Sequence, residues 1–209
     1  MKVEIEWQYL VTTALIAFFS VYGWHRKIVS DIHALFALGG CILMLYIFIA
    51  FHVEISSMNV GNFLLQNALL MGILGFPSLV NPYPRMLGAP HPIAVLIGIA
   101  AEEVIRIAVF YMVLAGFNMP RFAVAASAIT FAALHLYWYP TEWFSAIIAG
   151  ALFSISMLYL GSPTACVTAH FIYDLLAFAY ISTQVYFLIF LINLIIGLAL
   201  TLRKVKVKI

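Results

Sequence analysis

The sequence predicts an all-α fold, a polytopic transmembrane helical bundle of about eight spans, with seven as the alternative. Three observations carry this. Of 209 residues, 66% are hydrophobic and only 9% are charged, against about half apolar and about a quarter charged in an ordinary soluble domain. Mean hydropathy is +1.10, so too few polar side chains remain to cover a water-exposed surface, and the solvent must be lipid. The apolar residues fall into long runs divided by short polar or Pro-containing turns, and one span needs roughly 20 of them.

The first run covers about 7–22 and gives way to His25, Arg26, Lys27 and Asp31. It lacks an A-x-A site, and Glu4 and Glu6 precede it beside Lys2, so it does not read as a cleaved signal peptide. The second run covers 33–53. A polar break over 54–62 leads to the third, which ends near 80. Residues 81–92 hold four of the eight prolines and form the longest loop. The fourth run, 93–117, stops at Asn118-Met119-Pro120-Arg121, and the fifth, 122–138, at Tyr139-Pro140-Thr141-Glu142. The sixth, 143–160, is closed by Gly161-Ser162-Pro163. The seventh covers about 164–181 and the eighth about 184–202. Nothing divides the chain, so 1–209 reads as one transmembrane domain, with a catalytic core at 93–181.

Eight spans put both termini on one side. That side carries Lys2, Arg121, Arg203, Lys204, Lys206 and Lys208; the other carries Arg26, Lys27 and Arg85. Positive charge stays in the cytoplasm, so both termini should face it from a cytoplasmic-type cell membrane, with the basic tail against lipid headgroups. Trp7, Trp24, Trp138, Tyr139 and Trp143 fall at span ends, as interfacial anchors should. A net charge of +2 gives no reason to expect nucleic acid. Cys41 and Cys166 sit in apolar runs outside any CxxC and read as buried thiols. His25, His33, His52 and His91 lie at span ends and need no special role. Gly98, Gly116 and Gly150 are expected to permit close helix contacts.

The remaining ionisable groups lie at membrane depth. Glu102, Glu103 and Arg106 are in the fourth span, His135 in the fifth, His170 and Asp174 in the seventh. A charge at mid-bilayer costs on the order of 3 kcal/mol even on the lenient insertion scale, and such groups normally face one another or a water-filled cavity. At 1.5 Å per residue, Glu102 lies about 14 Å from the outer face and His135 about 10 Å from it. His170 and Asp174 lie about 9 and 15 Å from the cytoplasmic face, so all four can meet. Arg106 stands i+4 from Glu102 and i+3 from Glu103 and can pair with either. One acid should pair with Arg106; the other should face the cavity and act as a general base. His170 and Asp174 share a face, and Asp174 is placed to fix the tautomer of His170.

Three ordered motifs, Glu102-Glu103-Val104-Ile105-Arg106, Phe131-Ala132-Ala133-Leu134-His135 and His170-Phe171-Ile172-Tyr173-Asp174, resemble those of the CPBP family of intramembrane proteases, which includes the type 2 CAAX prenyl proteases. The first motif departs from that family by having two rather than three residues between the second Glu and Arg. That spacing is closer to the PrsW group, and the segments around Glu103, His135 and His170 are also similar to the Aph subunit of gamma-secretase. The resemblance covers about 93–180. It implies a glutamate-dependent endopeptidase, metal-independent and without cofactor, acting on a peptide or membrane-protein substrate. One Glu with His135 would activate water, while His170 and Asp174 would stabilise the oxyanion. By position the base is Glu102 and the structural acid Glu103, paired to Arg106.

Other readings stay open. A zinc enzyme could use Glu102, His135, His170 and Asp174. An Aph-like scaffold subunit fits the short Glu-x-x-Arg spacing, and a proton-coupled transporter could use the same Glu and His groups. The chain has no His-Glu-x-x-His and no Gly-x-Ser-Gly, so site-2 zinc and rhomboid chemistry fit poorly, and with Asp174 the one intramembrane Asp on this topology an aspartyl dyad is excluded.

Overall fold

A computed structural model describes residues 3–80, 92–138 and 143–206, without the side chains of 76–80, 137–138 and 204–206. The expectations for the proline-rich loop, Arg85, His91, the 139–142 turn, Lys2 and Lys208, and for the side chains of Trp138, Lys204 and Lys206, lie outside the described residues. Those residues form eight helices: α1 (Trp7–His25), α2 (Asp31–Ala50), α3 (Val60–Val80), α4 (Pro92–Phe117), α5 (Pro120–Trp138), α6 (Trp143–Leu160), α7 (Pro163–Ala177) and α8 (Thr183–Lys206).

The helices end where the sequence removes the means to continue. Ser30 caps α2 by accepting from the His33 N–H, and Ser162 caps α7 by accepting from the Ala165 N–H, with Pro163 in its first turn. Gly161 makes the α6–α7 turn at φ 75, a backbone conformation that side chains disfavour.

The fold is helical with one exception that the sequence reading did not foresee. β1 (Val3–Glu6) and β2 (Val53–Ser56) pair in parallel, Val3 opposite Val53 and Glu6 opposite Ser56. Parallel strands need a crossover connection, and the α1–α2 hairpin supplies it. The strands also fix a common end of the bundle. Glu6 Oε2 accepts from Thr164 Oγ1 at 2.7 Å, so β1, β2 and the α6–α7 turn meet there. Two helices, α1 and α2, separate β1 from β2, and four, α3 to α6, separate β2 from that turn.

α4 is the central helix. It packs on α1, α2, α5 and α7, and the consecutive buried residues Ile97, Gly98, Ile99 and Ala100, each turned about 100° from the last, surround its axis. A helix buried all round belongs to a core. α2 reaches it through Gly40, where a Cβ would stand 2.5 Å from Val104 Cγ1 and 2.9 Å from the Ile105 backbone nitrogen. Gly150 approaches α5 as closely, and Gly98 faces the His33 ring, whereas Gly116 makes only ordinary contact with Phe51.

α8 lies at the edge, mostly on α3, and turns Leu188, Ile192, Ile195 and Leu202 outward. Water would penalise that surface; lipid does not. Three helical stretches, 31–50, 143–160 and 183–203, are long and apolar enough to cross a membrane. Trp7, Trp24 and Trp143 stand exposed at helix ends. The chain is an integral membrane protein.

Candidate active site

Arg106 and Glu103 are both wholly buried in the middle of α4. Their i,i+3 spacing lets Arg106 Nε and Nη2 donate to Glu103 Oε2, at 3.1 and 2.5 Å. Nη1 donates to Ser127 Oγ of α5 at 3.2 Å and to Ser154 Oγ of α6 at 3.0 Å. The guanidinium also lies 5.2 Å from the centre of the Phe153 ring, a cation–π contact. Five donors in a rigid fork suit this four-way task, which lysine could not fill. Arg106 takes Glu103 rather than Glu102, and Ser127 and Ser154 complete its shell.

Glu103 Oε1 receives His170 Nδ1 of α7 at 3.1 Å. A carboxylate only accepts, so the ring proton is on Nδ1. This corrects the role expected for Asp174. Asp174 Oδ1 stands 3.9 Å from His170 Nε2, beyond hydrogen-bond range, and Glu103 is the group that sets the tautomer. The reason is distance: burial draws α7 against α4, where Glu103 faces it directly.

His135 lies in the last turn of α5. Its Nδ1 donates to the Phe131 carbonyl at 2.9 Å, which leaves the lone pair of a neutral ring on Nε2. The Phe131 ring contacts both histidines, 4.4 Å from His135 and 5.4 Å from His170 between ring centres.

Glu102 turns away from Arg106, and its side chain keeps 12% exposure where Glu103 has none. His33 Nε2 of α2 stands 3.6 Å from Glu102 Oε1. The sequence reading gave His33 no role because it sits at a span end. The glycine at 98 was the available signal, since a Cβ there would crowd that ring at 3.1 Å. On its other side Glu102 is within electrostatic reach of His170 and Asp174.

The end of the bundle with β1 holds α7 in place. Glu6 Oε2 accepts from Ser162 Oγ at 3.1 Å and from both the Oγ1 and the N–H of Thr164. A carboxylate there also favours the positive end of the helix dipole. Gln66 of α3 donates to the Ser162 carbonyl at 2.8 Å and accepts its N–H at 3.0 Å. Burial pushes the Glu6 carboxyl above its ordinary value, and the bonds from Thr164 and Ser162 offset this only in part. Cys41 and Cys166 are free thiols, Cys166 wholly buried. Among the described residues no three His, Cys, Asp or Glu side chains group as a metal site would.

Residues 86–176 match the model of a known family, Rce1-like, described as type II CAAX prenyl endopeptidase Rce1-like. The match covers less than half of the chain and contains all three motifs, at 102–106, 131–135 and 170–174. It supports the resemblance to the CPBP proteases and does not extend to the PrsW or Aph groups. No curated protein and no solved structure matches the chain.

Proposed function

We propose, from the match to the Rce1-like prenyl endopeptidases, that this protein is an intramembrane endopeptidase cleaving near a prenylated C-terminal cysteine. One observation carries the mechanism: two adjacent acids have unlike surroundings. Glu103 is saturated by Arg106 and His170, whereas Glu102 keeps some exposure. Glu103 is then structural. Glu102, with His135 Nε2, takes a proton from water held between them, and the hydroxide attacks the peptide carbonyl. His170, held by Glu103 through Nδ1–H and carrying a second proton on Nε2 as an imidazolium, directs that second N–H at the oxyanion with Asp174 behind it. The proton returns to the leaving amine. No metal enters this scheme. The site forms one water-accessible cavity at membrane depth, reached from eight spans with both termini in the cytoplasm.

A second reading, a scaffold subunit of a protease complex, draws on the complete hydrogen bonding of Glu103 and Arg106. Cleavage of a quenched fluorescent prenylated peptide by purified protein in detergent separates the two. The wild type should cleave with chelator present, and Glu102→Gln and His135→Ala should each lose about 10²-fold or more. Loss with chelator, restored by zinc, moves the site to the metal class. No cleavage by well-folded wild type leaves the scaffold.

A further inference from the structure

The family match begins at residue 86 and the motifs lie at 102–174, yet the site receives a side chain from α2. His33 is in the first turn of that helix. Ser30, its N-cap, accepts the His33 backbone N–H at 3.4 Å and lies 2.9 Å from the ring Nδ1. The hydroxyl accepts through a lone pair and has one hydrogen to give. Donated to Nδ1, that hydrogen places the ring proton on Nε2. Nε2 is the atom that stands 3.6 Å from Glu102 Oε1. Catalytic hydrogen bonds are often long before substrate binds and tighten afterwards.

The ring is held from both sides. Gly98 of α4 lies under it, where a Cβ would stand 3.1 Å from Nε2. Among the described residues, three helices bring charged and titratable groups toward the pair. α4 supplies Glu102, with Glu103 and Arg106 bound to each other behind it. α7 supplies His170 and Asp174, within reach of Glu102. On α2, Asp31 is engaged by Trp24 Nε1 of α1 at 2.6 Å.

We propose that His33 is a positioning residue for Glu102: Ser30 sets its tautomer, and its Nε2–H holds one carboxylate oxygen so that the other faces the water. This rests on the peptidase reading above. Glu102 on its own is a carboxylate with free rotation about its side-chain bonds. An N–H from a second helix fixes which oxygen takes the proton.

The test uses the full chain in detergent and the same prenylated peptide. His33→Gln, His33→Ala and Ser30→Ala should lower kcat with KM unchanged. The histidine variants should lose about tenfold or more, the effect of one hydrogen bond to a charged group. Added imidazole should restore His33→Ala and leave Ser30→Ala unchanged. Ring-nitrogen NMR of histidine-labelled protein gives a readout without catalysis: Glu102→Gln should move the His33 ring signals. Full kcat in both histidine variants of an active enzyme overturns the proposal, as do His33 signals indifferent to Glu102→Gln. An inactive wild type defeats the peptidase reading instead, and the NMR result then decides the His33–Glu102 coupling by itself.

Discussion

Arg106 is the largest wholly buried side chain in the described structure. It is tolerated because every face of its guanidinium meets a partner: Glu103, two serine hydroxyls and an aromatic ring. Breaking such a pair is worse than replacing it, because an unpaired charge stays behind. Arg106→Ala should cost about 3–5 kcal/mol, read as lost folded yield and a lower unfolding temperature. The double change Glu103→Gln with Arg106→Met, which strands no charge, should recover most of that stability while abolishing cleavage. At Glu6 the sign of a pH effect can be worked out. A carboxyl whose pKa is higher folded than unfolded opposes folding wherever it is ionised, and the penalty fades as pH falls through the folded value. Glu6→Gln should therefore raise the unfolding temperature at neutral pH, with the gain gone near about pH 4. An equal gain at both pH values would rule out ionisation as its cause.

Between elements, contact depends on what is absent as much as on what is present. Gly40→Val would push α2 off the α4 backbone and should destabilise by about 1–3 kcal/mol, measured by thermal unfolding. It should also lower activity, because α2 carries His33. The helices themselves were legible in the sequence: α6 spans the 143–160 run, and α2, α4, α5 and α8 begin within two residues of their runs, because apolar runs and capping residues are local signals. The i,i+3 pair of Glu103 and Arg106 was legible as one of two options for the same reason. Three features were not. The β1–β2 pair joins residues 50 apart, Val3 and Val53, and four-residue strands leave no period to read. Ser127 and Ser154 look like any small polar residues until Arg106 is placed between them. His33 was hidden because its depth along α2 says nothing of which residue on α4 it will meet.

Across the whole molecule, the meeting of β1, β2 and the α6–α7 turn requires that N-terminal strand and 161–163 lie on one side of the membrane. Single cysteines at Ser57 and Gly161, both exposed, should react from the same side with a membrane-impermeant thiol reagent, and one at Ile28 from the opposite side, in a background lacking Cys41 and Cys166. Labelling of all three from one side would dismantle the up-and-down arrangement. The buried polar cluster also constrains how the molecule is made. α4 emerges from the ribosome before Ser127, Ser154 and His170 exist. Until they do, Glu103 has one partner and Arg106 one, both on the same helix. A nascent chain that ends after α4 therefore offers the insertion machinery a segment that lipid rejects. The partners that offset this cost arrive with three later helices, Ser127 on α5, Ser154 on α6 and His170 on α7. A chain cut short before α7 would lack the His170 bond to Glu103 and should hold its central helix in the bilayer less firmly than the full chain.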